Sequence, residues 1–405
     1  MAEELHIPTG LTDASRAWGT WFVPFSGLDI ADAQALRAIQ DALAEALGRA
    51  EPGPVRGPSL HKVHIGEPRC TTRMRPELTR GASAFLRERG AEPIAAGDTT
   101  VAYTGPRGHR ENAAPDAPAY RELARRHGWA EDGAAGVPFV VLDRPRTSLA
   151  GGFEFQVPEQ RMEIEGVRRF SDFFVAGGFL AAGYVVNHAH LTLHGLAGVA
   201  GCVKSVAMGL AALNGKLRMH QSLLPTFDPE KCEACGLCVR NCPEDALSLP
   251  DGAGVPVLDP DRCIGCGECE AVCTRGAVHL QAERIEDWVR GQETLPVRIT
   301  DYTLGLMQGS WERMVHVLHL VRITERCDCI NRTQTPMVAT DLGLLVGKNP
   351  FAIDRRAGAM LRDALRAEGK DATDPLLDTA HEAAEYAHET YGILPETPFD
   401  EVRPQ

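Results

Sequence analysis

Apolar residues recur at helical spacing at Ile30, Ala33, Leu36, Ile39, Leu43 and Leu47, and the run stops before Pro52, which predicts a helix over 30–49. The pattern then shortens. Residues 59–65 read as a strand stopped by Gly66, 93–96 as a strand closed by Gly97-Asp98, and 137–142 as a third strand. Helical spacing returns at 76–90 and 118–127 between these strands, and again at 170–179 before a strand at 183–187. Towards the C-terminus, 311–315 reads as helical, 317–323 and 342–346 as extended, and 350–366 as helical. A short helix at 381–390 lies in a polar tail. Strands alternating with helices of roughly 10–15 residues predict an α/β fold, with a mostly parallel sheet flanked by helices.

Between these blocks the pattern is governed by cysteine. Eight of the 12 cysteines fall into two runs: Cys232, Cys235, Cys238, Cys242 followed by Pro243, then Cys263, Cys266, Cys269, Cys273. Each run reads C-x-x-C-x-x-C-x-x-x-C, the bacterial-type spacing for cubane clusters, in which the fourth cysteine ligates the other cluster. The spacing assigns Cys232, Cys235, Cys238 and Cys273 to one [4Fe–4S] centre, and Cys263, Cys266, Cys269 and Cys242 to a second. The bland alternative is a pair of zinc ribbons. Those place two C-x-x-C pairs across a longer spacer rather than four cysteines in one run. The two runs form an internal repeat. They predict an inserted α+β ferredoxin-like domain over 225–282 that interrupts the α/β domain, which occupies 1–224 and resumes over 283–405 with a C-terminal tail. Three consecutive domains are less favoured, because the part after the insert has too few elements for a sheet of its own.

The chain has 405 residues, of which 44% are hydrophobic and 24% charged, and a formal net charge of −13. That balance excludes general nucleic-acid binding. No basic segment followed by an apolar run opens the chain, so no secretory signal is expected. The longest apolar stretch, 173–186, is broken by glycines and too short to span a bilayer. Thiolates that hold iron favour a reducing compartment, so the expected location is the cytoplasm.

Polar groups collect at or just after the expected strand ends, where open parallel sheets bind ligands. Lys62, His64 and Glu67 lie in HKVHIGE, and strand alternation puts Lys62 and His64 on one face. Asp98 follows the next strand, with Tyr103 and Arg107 close behind. His188, His190 and His194 follow YVVN, and Lys204, Lys216 and His220 come after them. Any one of these histidines is more often structural than functional. His188 and His190 form an H-x-H pair that a strand would aim at one metal. The glycines before Lys204-Ser205 miss the phosphate-loop spacing. Cys327-Asp328-Cys329 is the other unusual feature. On an extended segment both thiols point the same way, as a shared metal or redox ligand requires. Arg322, Glu325, Arg326, Asn331 and Arg332 flank it and favour thiolate character over simple core packing. Cys70 and Cys202 stand alone and read as packing residues.

KVHIGE, GDTTVAYTGPRG, NHAHLTLHGLAGVAGCVKSVAMG, GKLRMH, the paired cluster motifs, CDC and DLGLLVGKNPFAIDRRAG occur in that order. The chain thereby resembles the prokaryotic iron–sulfur centre proteins grouped as domain of unknown function 362, over roughly residues 60–365. It departs from that pattern at Cys202, where a small apolar residue is expected, and at Ser205, where asparagine is expected. The departure marks Cys202 as a further candidate ligand. The resemblance implies a redox role and no particular reaction.

The function expected is that of a reductase passing single electrons from two [4Fe–4S] clusters to a small, anionic substrate near Cys327 and Cys329. Lys62, His64, His188, His190 and His194 are the candidate proton donors. Arg107, Lys204 and Lys216, with Glu67, Asp98 and His220, are the candidate substrate contacts. A ferredoxin- or flavodoxin-type partner would supply electrons. No G-x-G-x-x-G follows a strand, so neither nicotinamide nor flavin is expected. Both cubanes have full ligand sets, so Cys327 and Cys329 are expected to hold the reactive centre, either a third iron–sulfur cluster or a single metal, with Cys202 as a further ligand. The competing reading is a non-enzymatic electron carrier or assembly partner.

Overall fold

The computed structural model describes residues 2–114, 116–145, 153–220, 224–242, 244–260, 262–263, 267–280 and 295–405. Cys266 and Pro243 lie outside the described residues, as does the expected boundary at 282. The main sheet has nine strands: β1 (Thr20–Pro24), β2 (Ser59–Lys62), β3 (Ile94–Asp98), β4 (Phe139–Val141), β5 (Tyr184–His194), β6 (Gly198–Ala200), β7 (Met314–Thr324), β8 (Gly343–Gly347) and β9 (Phe399–Glu401). Their order is β9-β1-β8-β7-β5-β2-β3-β4, with β6 paired to β5. β7, β5, β2, β3 and β4 run parallel, while β8 and β6 are antiparallel to their neighbours.

Helices cover both faces: α1 (Ala33–Ala50), α2 (Arg80–Glu88), α3 (Pro118–Arg126), α4 (Cys202–Leu210), α5 (Leu213–His220), α6 (Leu295–Leu306), α7 (Pro350–Ala367) and α8 (Thr379–Tyr391). Asp32 caps α1 by accepting from the Gln34 and Ala35 N–H groups at 2.9 and 2.8 Å, which satisfies two donors the first turn leaves free. Ile39, Leu43 and Leu47 of α1 then pack with Phe85 of α2, Leu123 of α3 and Val186, Val315 and Val317 of the sheet. Val206, Leu210, Ile299, Tyr302 and Phe351 of α4, α6 and α7 cover Leu60 and Val185 on the opposite face. Each such side chain contributes about 1.5–3 kcal/mol on burial.

Several elements differ from the sequence expectation. β5 does not stop at Asn187 but runs on to His194, buried at every position but the last. The segment expected as a helix over 170–179 is a strand, Asp172–Ala176, and a short helical turn, Gly177–Leu180. The strand pairs with Glu159–Glu165, which pairs in turn with Glu3–Glu4. Trp311–Arg313 is only a 3₁₀ turn before β7. The polar tail is not loose. Ala384, Ala387 and Ile393 are fully buried, and β9 extends the sheet beside β1.

The insert region carries two small antiparallel ladders, Pro225–Phe227 with Val278–Leu280 and Leu247–Ser248 with Val257–Leu258. No described helix is long and apolar enough to cross a membrane.

Candidate active site

The carboxyl ends of five parallel strands converge. His64 follows β2, Asp98 ends β3, Asp143 follows β4, His194 ends β5 and Cys327 follows β7. β2 leads on to β3 and β4 on one side, whereas β5 and β7 lie on its other side, so the site falls where the strand order reverses.

Lys62 leaves the buried face of β2 and its Nζ donates to Ser205 Oγ at 2.9 Å. Ser205 donates in turn to Asn187 Oδ1 at 2.8 Å. Burial pulls the Lys62 ammonium down to about 8, reinforced by Arg107 and Lys204 and opposed by Asp98. Space for this side chain depends on Gly209 of α4, because a Cβ there would lie 2.0 Å from Lys62 Cε. Lys216 donates to Thr99 Oγ1 and the Thr100 carbonyl, and burial likewise brings it down to about 8.

His64 Nδ1 lies 3.2 Å from Asp98 Oδ2, and its Nε2 is buried with no hydrogen-bond partner among the described residues. Asp98 also accepts from Tyr120 Oη at 2.8 Å and from Arg107 Nη2 at 3.3 Å. Burial opposes ionisation of Asp98, but Lys62, His64 and Arg107 outweigh it and hold the carboxyl well below its ordinary range. Arg107 Nη1 donates to Glu67 Oε1 at 2.7 Å, and Tyr103 Oη donates to the same oxygen at 2.9 Å. The expected substrate contacts Glu67, Asp98 and Arg107 therefore satisfy one another. They form a buried, mutually bonded clamp behind His64 rather than free recognition groups.

Cys327 and Cys329 are not extended, as expected, but sit in a β-turn closed by the Ile330 N–H to the Cys327 carbonyl at 3.0 Å. Lys204 Nζ donates to Cys327 Sγ at 3.2 Å, and the Cys329 N–H to the same sulfur at 3.4 Å. The Cys329 thiol beside it, then the Lys204 ammonium and His64, hold Cys327 well below the ordinary thiol range, despite burial. Cys329 is correspondingly raised. Between them Asp328 points inward. Its Oδ2 lies 2.7 Å from His190 Nδ1, and its Oδ1 accepts from Cys70 Sγ at 3.3 Å.

The ligand atoms of His194, Cys327 and Cys329 lie within 4.8 Å of one another, the spacing of a metal site. Two contacts weigh against a metal there. The Lys204 ammonium already faces Cys327, and His194 Nδ1 accepts the Leu196 and Ala197 N–H groups at 3.0 and 3.1 Å. Burial keeps that ring neutral, bringing it down to about 3, so its hydrogen is on Nε2 and neither nitrogen offers a lone pair.

Three other candidates are not brought to the site. His188 is inside the sheet, with Nε2 3.2 Å from His61 Nδ1 and Nδ1 3.0 Å from His319 Nε2. His190 spends both nitrogens on Asp328 and the Val321 carbonyl, so the H-x-H pair has no atom free for a shared metal. Cys202 starts α4, where its N–H donates to Asp354 at 2.6 Å and its thiol lies against the same carboxylate. It is no ligand partner of Cys327. His220 stands near Lys204 and Lys216, and its buried Nδ1 has no partner among the described residues.

The family model described as Domain of unknown function (DUF362) matches residues 60–358. The chain belongs to the DUF362 family. That span covers every strand end described above and both cysteine runs. No curated protein matches the chain.

Among the described residues of this DUF362 protein no cysteine forms a disulfide. Burial pushes the Cys238 thiol up, and nearby Cys232 and Cys235 add a smaller push in the same direction. Cys238 and Cys269 are buried in one small apolar cluster with Leu247 and Val278, and Cys242 and Cys273 pack against it. The repeat is visible in the backbone. The Ala246 N–H donates to Cys242 Sγ at 3.2 Å, and the Ala277 N–H to Cys273 Sγ at the same distance. Gly236 and Gly267, each at the start of a short helix, have φ of 69° and 79°. Such left-handed turns direct N–H groups inward, as an anionic cluster requires. Seven of the eight cysteines are described, and thiols beside inward backbone donors are the kind of group that cubane ligation needs.

Sequence reasoning missed Asp328, His61, His319 and Glu268. Glu268 precedes Cys269, is 5% exposed, and accepts from Thr104 Oγ1 at 3.2 Å. Burial, with Glu67 and Glu111 nearby, raises its carboxyl to about 7. An acidic residue inside a cysteine run was the only available signal.

Proposed function

We propose that this protein is an iron–sulfur-dependent reductase acting on a small substrate at the strand-end site. Cys232, Cys235, Cys238 and Cys273 would hold one [4Fe–4S] cluster, and Cys263, Cys266, Cys269 and Cys242 the other, in an inserted ferredoxin-like module. Such clusters supply single electrons at low potential. The observation that carries the reading is the Glu268–Thr104 contact. It sets the residue before Cys269 against the loop that carries Tyr103 and Arg107.

The chain's own residues support proton-coupled reduction. Lys62, down at about 8, can give a proton near neutral pH. His64 is oriented by Asp98 and lies beside Cys327. Lys204 stabilises negative charge at Cys327 or on a substrate beside it. A ferredoxin- or flavodoxin-type donor is the expected electron source.

The test is anaerobic oxidation of reduced methyl viologen during a screen of small electron acceptors. Turnover with one acceptor class is expected, lost in His64→Ala and Lys204→Ala variants that keep the parent's visible spectrum. No turnover with any acceptor, together with a stable complex with a second redox protein, would instead identify an electron carrier.

A further inference from the structure

We infer that Cys327 and Cys329 are a redox-active dithiol that reduces a small disulfide, with Cys327 as the attacking sulfur and Cys329 as the resolving one. The inference rests on the proposed reductase reading for its electron supply, but the disulfide chemistry itself does not.

The geometry separates the two roles. Cys327 Sγ receives the Lys204 ammonium at 3.2 Å and the Cys329 N–H at 3.4 Å, both of which stabilise a thiolate. Cys327 is 4% exposed, whereas Cys329 is half-buried at the rim. The turn matters for the bridge. Two extended residues hold their Cα atoms about 7 Å apart, at the limit beyond which a disulfide cannot close. The Ile330 N–H to Cys327 carbonyl bond folds the pair into a β-turn and shortens that span. Asp328 keeps both thiols on one side, because its own side chain is held on the other by His190 and Cys70. His64, beside Cys327, further stabilises its thiolate. The contacts of His194 and Lys204 that disfavour a metal leave this dithiol chemistry intact.

The steps balance. The Cys327 thiolate attacks one sulfur of R–S–S–R′, the S–S bond breaks, and R′S⁻ leaves and takes a proton from Lys204. Cys329, half-buried at the rim, gives its proton to water, and its sulfur attacks Cys327 Sγ. That breaks the mixed disulfide, releases RS⁻, which takes a proton from water, and closes the Cys327–Cys329 bridge. The substrate has gained two electrons and the pair has lost two. Return to the dithiol takes two protons from solvent and two electrons from a one-electron reductant, the iron–sulfur clusters of the proposed reading.

Bis(2-hydroxyethyl) disulfide is the probe, added anaerobically to the full-length, cluster-loaded protein, with alkylation read by peptide mass spectrometry. In the parent, the peptide carrying Cys327 and Cys329 should lose both alkylation sites and regain them with a phosphine. Cys329→Ser should trap the hydroxyethyl mixed disulfide on Cys327, and Cys327→Ser should trap none. Both cysteines remaining fully alkylatable in the parent would overturn the inference. So would equal trapping in the two variants, or a stoichiometric metal lost from Cys327→Ser with the cluster iron unchanged. Reduced methyl viologen should reopen the bridge in the parent but not in Cys235→Ala, while the phosphine reopens it in both. A bridge that forms normally but is never reopened by viologen in the parent would leave the dithiol standing and remove the cluster-fed reductase.

Discussion

At the scale of single residues, the site is organised by what each charge is forced to face. Cys327 has a cation, a thiol and an imidazole around it, and its proton is held weakly as a result. An ordinary thiol, with a pKa of about 8.5, loses roughly tenfold in alkylation rate per unit as pH falls below it. The shift at Cys327 is downward, so its thiolate should survive as pH falls. Its iodoacetamide rate should fall less between about pH 8 and about pH 6 than that of an ordinary thiol. Lys204→Met should restore a steep decline, and a steep decline in the parent would show that Cys327 is an unperturbed thiol. Asp328 makes the complementary case. It is buried in a pair with His190, and breaking such a pair costs about 3–5 kcal/mol. Asp328→Asn should therefore lower the thermal midpoint clearly while leaving the visible spectrum unchanged. A midpoint equal to the parent's would mean that the pair contributes no stability.

At the scale of elements, Lys62 and Asp98 were legible, because two-residue alternation and strand-end position can be read along one chain. The CDC motif stood out too, but the alternation that suggested an extended segment gave no sign of its turn. β5 was not. NHAHLTLH has the polarity of a loop, yet it is the buried heart of the sheet. Its histidines are satisfied by residues far away in sequence: His188 by His61 on β2 and His319 on β7, and His190 by Asp328. Hydrogen bonds across strands cancel the cost of burying polar groups, and no local pattern announces them. Arg107 misleads in the same way, since a lone arginine reads as an anion site until Glu67 and Asp98 are seen to occupy it. A helix contributes a separable test. Gly209→Ala should keep or slightly raise stability, by up to about 1 kcal/mol, since alanine is the better helix former. The atoms it meets are the movable end of Lys62, so the ammonium should be displaced and turnover lost. A variant with parent activity would show that Lys62 is not needed where it stands.

At the scale of the whole molecule, the family match and the strand-end site lie on one α/β body, and Cys238, Cys242, Cys269 and Cys273 of the two runs share one small apolar cluster. The eight-cysteine spacing was the most legible feature of the chain, since ligand geometry repeats locally. Its contact with the site was invisible, because Thr104 and Glu268 are distant in sequence. Electron supply to the strand-end site requires that those cysteines carry two cubanes. Metal and sulfide analysis of anaerobically purified protein tests this most directly. About eight irons and about eight labile sulfides per chain are expected, with the same iron count in a Cys327→Ala, Cys329→Ala double variant. Stoichiometric zinc without labile sulfide would contradict it.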